Sequence, residues 1–334
     1  MTVTTYKKLM VTRLSRNFRE AVEIVEVPFP TPGADEIVMR NIYAGINASD
    51  VNYSAGVYDR TVSPPFDAGF ESIGEVVAVG ASVTALKPGD AAAAISNGGG
   101  FREYAVHPAK RVFPVDEPRP EYLSMMVSGL TASFGLYLAG EMRTDETVMV
   151  TAAAGGTGQY AVQLAKIAGN HVIGTCSSDE KADMLREFGC DRVINYRDED
   201  VRTVLKNEYP AGLDLVYESV GGEMFDTCLR NLAIRGRLVI IGYISEYSTD
   251  RLENITAPRI YGYLLGKSAS VRGMFLNHYL RHAPEHLMKL IELYRSGQLN
   301  IKIDPISYVG IDSIVDAVEH LHSGKSQGKV MVRL

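Results

Sequence analysis

The stretch that most restricts the fold of this chain runs from Val148 to Ala168. A short apolar run, Val148–Val150, gives way to Thr151-Ala-Ala-Ala-Gly155-Gly-Thr-Gly158, and a helical stretch follows from Gln159 to Ala168. Glycine does three things where a strand turns at once into a helix. It permits the tight turn, lets backbone approach a pyrophosphate, and lets the helix pack close to the strand. Against the G-x-G-x-x-G pattern Ala153 holds the first place, while Gly155 and Gly158 fit. Phosphates would rest on the helix N-terminus, where N–H groups are unpaired and the dipole favours negative charge. A purely structural turn would look the same in isolation, but further elements arrive on schedule. His171–Cys176, Leu213–Tyr217 and Leu238–Ile241 read as buried strands, and Asp179–Phe188 as a helix. This alternation predicts an α/β fold with a doubly wound parallel sheet, and the turn then reads as a dinucleotide site.

Which dinucleotide is a question of charge. NAD sites usually carry Asp or Glu at the end of the second strand, on the ribose hydroxyls. That place is Cys176-Ser177-Ser178 here, without a carboxylate directly at the strand end; Lys181 follows one helical turn later and Tyr196 further on. Ser177, Lys181 and Tyr196 together would hold a 2′-phosphate through charge-assisted hydrogen bonds. A plainer reading competes: Ser177-Ser-Asp-Glu180 is also a capping box, and Lys181 could be a solvated surface residue. Capping and phosphate binding use the same helix end, so the two readings are compatible, and NADPH is favoured.

The first third has another texture. Val22–Val27, Ile37–Tyr43 and Ser72–Val79 read as strands, separated by Pro30-Thr-Pro-Gly33 and Lys87-Pro-Gly-Asp90. Near the end Leu287, Leu290, Ile291 and Tyr294, and then Ile311, Ile314, Val315 and Val318, recur at helical spacing before a last strand, Lys329–Arg333. A β-rich block, a nucleotide-type block and a return to the first is the simplest architecture, and 334 residues suffice for two domains. A formal charge of −6 argues against a general nucleic-acid binder. No apolar run approaches the ~20 residues of a membrane helix, and the N-terminus has no signal-like apolar core. Three scattered cysteines (Cys176, Cys190, Cys228) suit a reducing compartment. The terminal Val332-Arg333-Leu334 is not a peroxisomal address, so a cytoplasmic location is expected.

Gly69-Phe-Glu-Ser-Ile-Gly-Glu-Val76, Lys87-Pro-Gly-Asp90, Gly100-Phe-Arg-Glu-Tyr104 and Ala152-x-x-Gly155-x-x-Gly158 follow one another in an order and spacing that resemble the medium-chain dehydrogenase/reductase superfamily. The resemblance implies a GroES-like β-rich catalytic domain over residues 1–123 and 281–334, and a Rossmann NADPH-binding domain over 124–280. Zinc-dependent members have Gly-His-Glu where this chain has Gly69-Phe70-Glu71, and an early zinc cysteine near Gly45-Ile-Asn-Ala48-Ser-Asp50. No cysteine precedes Cys176, so neither usual zinc site can be assembled. His278, His282 and His286 recur every four residues, but Pro284 interrupts them and a solvated face explains them, so no metal is expected.

Val11-Thr-Arg-Leu-Ser15, Asn47-Ala-Ser-Asp-Val-Asn-Tyr-Ser-Ala-Gly56, Gly174-Thr-Cys-Ser-Ser-Asp-Glu-Lys181, Glu218-Ser-Val-Gly-Gly222 and Phe275-Leu-Asn-His-Tyr-Leu280 resemble the zinc-free quinone oxidoreductase and prostaglandin reductase branches. By that resemblance Thr157 meets the pyrophosphate, and Ser177, Lys181 and Tyr196 meet the 2′-phosphate. Ser219 and Ile241 line the cofactor channel, and Tyr247 closes over it. Phe275, Leu276 and Asn277 hold the carboxamide through backbone. Gln327, before Gly328-Lys329, stands where relatives often carry an asparagine that touches cofactor. A homodimer is also implied. The plain alternative for Ser219, Ile241 and Phe275 is core packing.

The implied reaction is reduction of the carbon–carbon double bond of an enone or enal, such as a 15-oxo-prostaglandin, a small apolar carbonyl substrate. Hydride reaches the β-carbon, charge develops on the carbonyl oxygen, and the α-carbon then gains a proton. No Ser-His-Asp set or paired carboxylate is evident for this, and a tyrosine hydroxyl suits the task. Tyr53 sits where related quinone reductases present a tyrosine, with Tyr58 and Tyr247 as other candidates and Asn47 as a polar partner; water or the nicotinamide ribose hydroxyl is the alternative source of the proton. Among eighteen tyrosines, any one more often packs than catalyses. The segment from Tyr247 to Lys267, with Tyr261 and Tyr263, would wall an apolar pocket or form a subunit interface. The alternatives to enone reduction are a quinone reductase and a non-catalytic NADPH-binding scaffold.

Overall fold

A computed structural model describes residues 3–58, 61–247 and 259–334. The chain forms two compact units, residues 1–127 with 303–334, and residues 128–302. The expected boundaries at 123/124 and 280/281 therefore move. The larger shift has a plain cause: helix Ala283–Arg295 belongs to the second unit, where His286 Nδ1 lies 2.7 Å from Ser133 Oγ and the imidazole packs edge-on to Phe134. Residues 300–302 stay with that unit too. The amides of Gln163 and Gln159 bond backbone groups of Asn300 and Lys302.

The second unit is a six-stranded sheet, parallel throughout. In chain order its strands are Thr147–Val150, His171–Cys176, Arg192–Asn195, Leu213–Glu218, Leu232–Ile240 and Ser270–Gly273. In space they run third, second, first, fourth, fifth, sixth. This is the doubly wound order in which a ligand crevice opens beside the first strand, where the winding reverses. The strands are nearly continuous apolar runs because both sheet faces are covered. Met149, Ile173, Ile194, Val216 and Leu238 are buried together with helix residues Val204, Leu205, Cys228 and Leu229.

The first unit is antiparallel in the main. Thr5–Val11 pairs with Val22–Pro28 and with Phe66–Asp67. A larger sheet centres on the ten-residue strand Glu36–Gly45, which pairs with Glu71–Val79, Tyr104–Pro108 and, from the far end of the chain, Met331–Arg333. The predicted return to the first block is thus a strand in its main sheet. Helix Ile314–His322 seals the core, Ile314, Ala317 and Val318 being buried with Leu9, Val11, Ile46 and Val332.

One expectation needs correcting. The run Pro120–Ala139 forms a 20-residue helix apolar enough by length and composition to cross a membrane, although no apolar stretch of that order was expected. Within the protein 78% of its apolar window is buried, which accounts for the composition of a core helix. Part of the tyrosine-rich segment from Tyr247 to Lys267, residues 248–258, lies outside the described residues. Tyr261 and Tyr263 stand exposed on helix Tyr261–Lys267.

Candidate functional site

Parallel strands bring all their carboxyl ends to one edge, and that edge gathers the expected cofactor residues of the second unit. After Val150 the backbone passes through Ala152 at φ +47°, a left-handed conformation unusual for alanine. The turn is pinned to the second strand, Ala152 N–H donating to Thr175 Oγ1 at 3.2 Å and Ala153 N–H to Thr175 O at 3.0 Å. Gly158 opens helix Gly158–Ile167. A Cβ placed there would fall 2.6 Å from Ala153 O and closer still to Ala152 O, so only glycine lets the helix begin this near the strand. Gly155 is less confined, with its nearest neighbour, Ala152 O, at 3.2 Å. Thr157 is the N-cap residue and makes no side-chain cap. The helix N-terminus thus faces the carboxyl edge, as a bound pyrophosphate requires.

Beyond the second strand, the capping serine is Ser178, one place later than expected. Its Oγ accepts from Lys181 N–H, and helix Asp179–Glu187 starts behind it. That leaves Ser177 outside the cap, where its Oγ accepts from Lys181 Nζ at 3.4 Å. Both Ser177 and Lys181 are only 9% exposed, so Lys181 is not a solvated surface residue. Tyr196 follows the third strand, its N–H bonded to Cys176 O and its side chain 49% exposed. A serine hydroxyl and a nearly buried ammonium therefore meet at the strand end where NAD sites keep a carboxylate.

The fourth and fifth strands end in loops that are bonded to each other. Ile241 N–H donates to Glu218 O at 2.7 Å, Ile244 N–H to Ser219 O at 3.1 Å, and Ser245 Oγ to Val220 O at 2.6 Å. Tyr247 is buried, its ring edge-on to Tyr243 at 4.8 Å. After the sixth strand Phe275 is 40% exposed, and Leu276–His278 forms a single 3-10 turn. The three spaced histidines share no helix face: His278 and His282 end separate 3-10 turns, and His286 alone lies in the helix.

Sequence reasoning missed Glu218. Its side chain is fully buried, and its Oε1 accepts from Val220 N–H at 2.8 Å, Gly221 N–H at 3.1 Å and Thr151 Oγ1 at 3.2 Å. Burial raises its carboxyl above the usual range, while these same donors pull it down. The run Glu218-Ser-Val-Gly-Gly222 carried the signal, but a carboxylate on a strand end reads equally as a surface charge.

In the first unit Asn47 and Tyr53 share one segment. Tyr53 lies on helix Ser49–Ser54, its half-buried ring edge-on to Phe66 and Phe70 at 5.2 and 5.0 Å. Asn47 sits in a buried polar cluster that the sequence did not announce. Lys329 Nζ donates to Asn47 Oδ1 (2.8 Å), Ile46 O (2.9 Å) and Glu71 Oε1 (2.6 Å), and Asn47 Nδ2 donates to Glu71 Oε1 at 3.0 Å. Asn47 N–H donates to Asp50 Oδ2 at 2.8 Å. The amide of Asn47 is thus bonded at both ends within the protein. Gln327 lies in the C-terminal piece of this unit, its N–H on Asp304 Oδ2 at 2.8 Å. Among the described residues no three His, Cys, Asp or Glu side chains gather as a metal site.

Comparison with known proteins identifies the family and the fold. Residues 33–117 match the alcohol dehydrogenase GroES-like domain, and residues 156–293 the zinc-binding dehydrogenase family. Prostaglandin reductase-3 of Mus musculus is 52% identical over 99% of this chain and 90% of its own length. A probable quinone oxidoreductase of Leishmania amazonensis is 42% identical over 98% of both chains. The structure of Escherichia coli quinone oxidoreductase complexed with NADPH superposes with a TM-score of 0.85 at 27% identity, over 98% of this chain and 100% of that one. The chain belongs to the medium-chain dehydrogenase/reductase superfamily, a group of oxidoreductases. Within it, the chain is similar to prostaglandin reductase-3 over nearly its whole length.

Proposed function

We propose that this protein is an NADPH-dependent, zinc-independent reductase of conjugated carbonyl compounds that saturates the carbon–carbon double bond of enones and enals. The observation that carries the cofactor half is the Lys181–Ser177 pair at the end of the second strand, a nearly buried cation where a ribose-binding carboxylate would otherwise stand. Likeness to an NADPH-complexed structure and to prostaglandin reductase-3 supports it. When bound, NADPH supplies the hydride. The protein holds the pyrophosphate on the Gly155–Gly158 turn with Thr157, and the 2′-phosphate on Ser177, Lys181 and Tyr196. Ser219, Ile241, Tyr247 and the backbone of Phe275, Leu276 and Asn277 hold the nicotinamide end, with Gln327 as a further contact. Tyr53 presents its hydroxyl to the oxygen on which charge develops. Asn47 serves by fixing the segment that carries Tyr53. A 15-oxo-prostaglandin or a lipid-derived alkenal is the substrate class, and a cytoplasmic homodimer is the form in which the enzyme works.

Oxidation of NADPH and NADH by the purified protein, with a 15-oxo-prostaglandin, a medium-chain alkenal and a small quinone, tests this directly. Faster NADPH consumption with the enones is expected. Lys181→Ala should lose most of the NADPH preference, about thirty- to several-hundred-fold if the contact contributes about 2–4 kcal/mol. A wild-type preference for NADH would remove the 2′-phosphate reading. The Leishmania and Escherichia coli relatives favour a second reading, quinone reduction, and higher turnover on the quinone would select it. Tight NADPH binding with no turnover on any substrate would select a binding protein.

A further inference from the structure

The loop after the fourth strand is built in an unusual way. Three successive backbone N–H groups turn inward: Ser219 N–H donates to Thr151 Oγ1 at 2.8 Å, and those of Val220 and Gly221 donate to the Glu218 carboxylate. Thr151 Oγ1 in turn donates to Glu218 Oε1 at 3.2 Å. Thr151 and Glu218 are both fully buried. Thr151 is the first residue of the glycine turn, and Ser219–Gly221 is the facing loop across the point where the winding of the sheet reverses. Successive N–H groups converging on one anion form a nest, a site made for an anion. Here the protein fills its own nest, so these donors are occupied from inside. The loop beyond is layered on the same scaffold, since Gly221 at φ +80° packs its Cα side against Tyr243, and Ile244 and Ser245 bond back to Ser219 and Val220.

We propose that Glu218 and Thr151 form a positioning pair that sets the affinity for the dinucleotide, by locking the Ser219–Gly221 loop to the glycine turn. Neither residue touches the cofactor; both act through Ser219 and the backbone of the turn. This inference rests on the dinucleotide reading of the site but not on its preference for NADPH. The pair stands at the first and fourth strands, whereas Lys181 and Ser177 stand beyond the second. Weakening the pair therefore loosens binding of NADPH and NADH alike and leaves their ratio as in the wild type.

The test is fluorescence titration of the full-length protein with NADPH and with NADH, together with steady-state kinetics on an enal. Thr151→Val keeps the shape and removes the hydroxyl, Thr151→Ser restores it, and Glu218→Gln offers one acceptor oxygen to three donors. Thr151→Val and Glu218→Gln should raise Kd for both dinucleotides on the order of tenfold, with the larger part of the kinetic effect in KM for the dinucleotide. Thr151→Ser should return to within about threefold of wild type. Wild-type affinity in both Thr151→Val and Glu218→Gln would overturn the proposal, and so would a Thr151→Ser protein as weak as Thr151→Val. If Glu218→Gln fails to fold, the two threonine variants decide. A wild-type protein that prefers NADH would refute the NADPH reading and leave this inference standing. A wild type that binds neither dinucleotide would end both.

Discussion

Asp50 shows how much of this chemistry is set by a single side chain's surroundings. Its carboxyl is 2% exposed, and Oδ1 finds no hydrogen-bond partner among the described residues. Burial pushes it up to about 8, and Glu71 adds to the shift, against the pull of Asn47 N–H and Lys329. The unfolded chain releases this proton near pH 4 and the folded chain near 8, so the native state alone holds it in between. Stability from this group is accordingly full at low pH and declines as pH rises through that window, by at most about 1.4 kcal/mol per pH unit. Asp50→Asn should melt with a flatter pH dependence than wild type between about pH 5 and 8. Equal slopes in thermal melts would show Asp50 ionised throughout. Little of this was legible beforehand, because Asp50 sits in Asn47-Ala-Ser-Asp50, a polar stretch that gives no hint of burial.

Elements were far more legible than the contacts that finish them. His171–Cys176 was read with both ends in place, and the helix after the glycine turn began one residue early, at Gly158. Apolar runs bounded by glycine leave few alternatives, which is why four of the six strands were legible, whereas the four-residue strand Arg192–Asn195 is too short to stand out from the loop around it. The cap after the second strand was less determined. Ser177 and Ser178 are chemically equal as N-caps, and only the extended backbone of Ser178, φ −159°, settles which one accepts from the helix. The most constrained point of any element is Gly158. Gly158→Ala forces a methyl group against two carbonyl oxygens, and overpacking of this kind costs about 1–3 kcal/mol. Urea denaturation should show that loss, and NADPH titration a weaker complex, because the helix N-terminus must back away from the strand. Unchanged values in both would mean that the turn relaxes freely.

At the scale of the molecule, the sequence showed two blocks and a return, but not what fastens the return. Lys329 and Glu71 are 258 positions apart and almost fully buried against each other. No periodicity could pair them, since each reads locally as an ordinary surface charge. Removing one member leaves the other buried without its partner, which costs about 3–5 kcal/mol. Lys329→Met should show a loss of that size in urea denaturation, and adding Glu71→Gln should recover part of it; a neutral Lys329→Met would mean that solvent reaches Glu71. The closing strand Met331–Arg333 has a consequence for how the protein is made. A ribosome delivers Glu36–Gly45 early and its neighbour Met331–Arg333 much later. At ~5–20 residues per second, the roughly 290 residues between them take about fifteen to sixty seconds. Throughout that interval the nascent first unit waits with an open sheet edge, while residues 128–302 emerge complete. The nucleotide-binding half is therefore the part of the newborn chain that can finish first, and the half bearing Tyr53 is the one that stays incomplete longest.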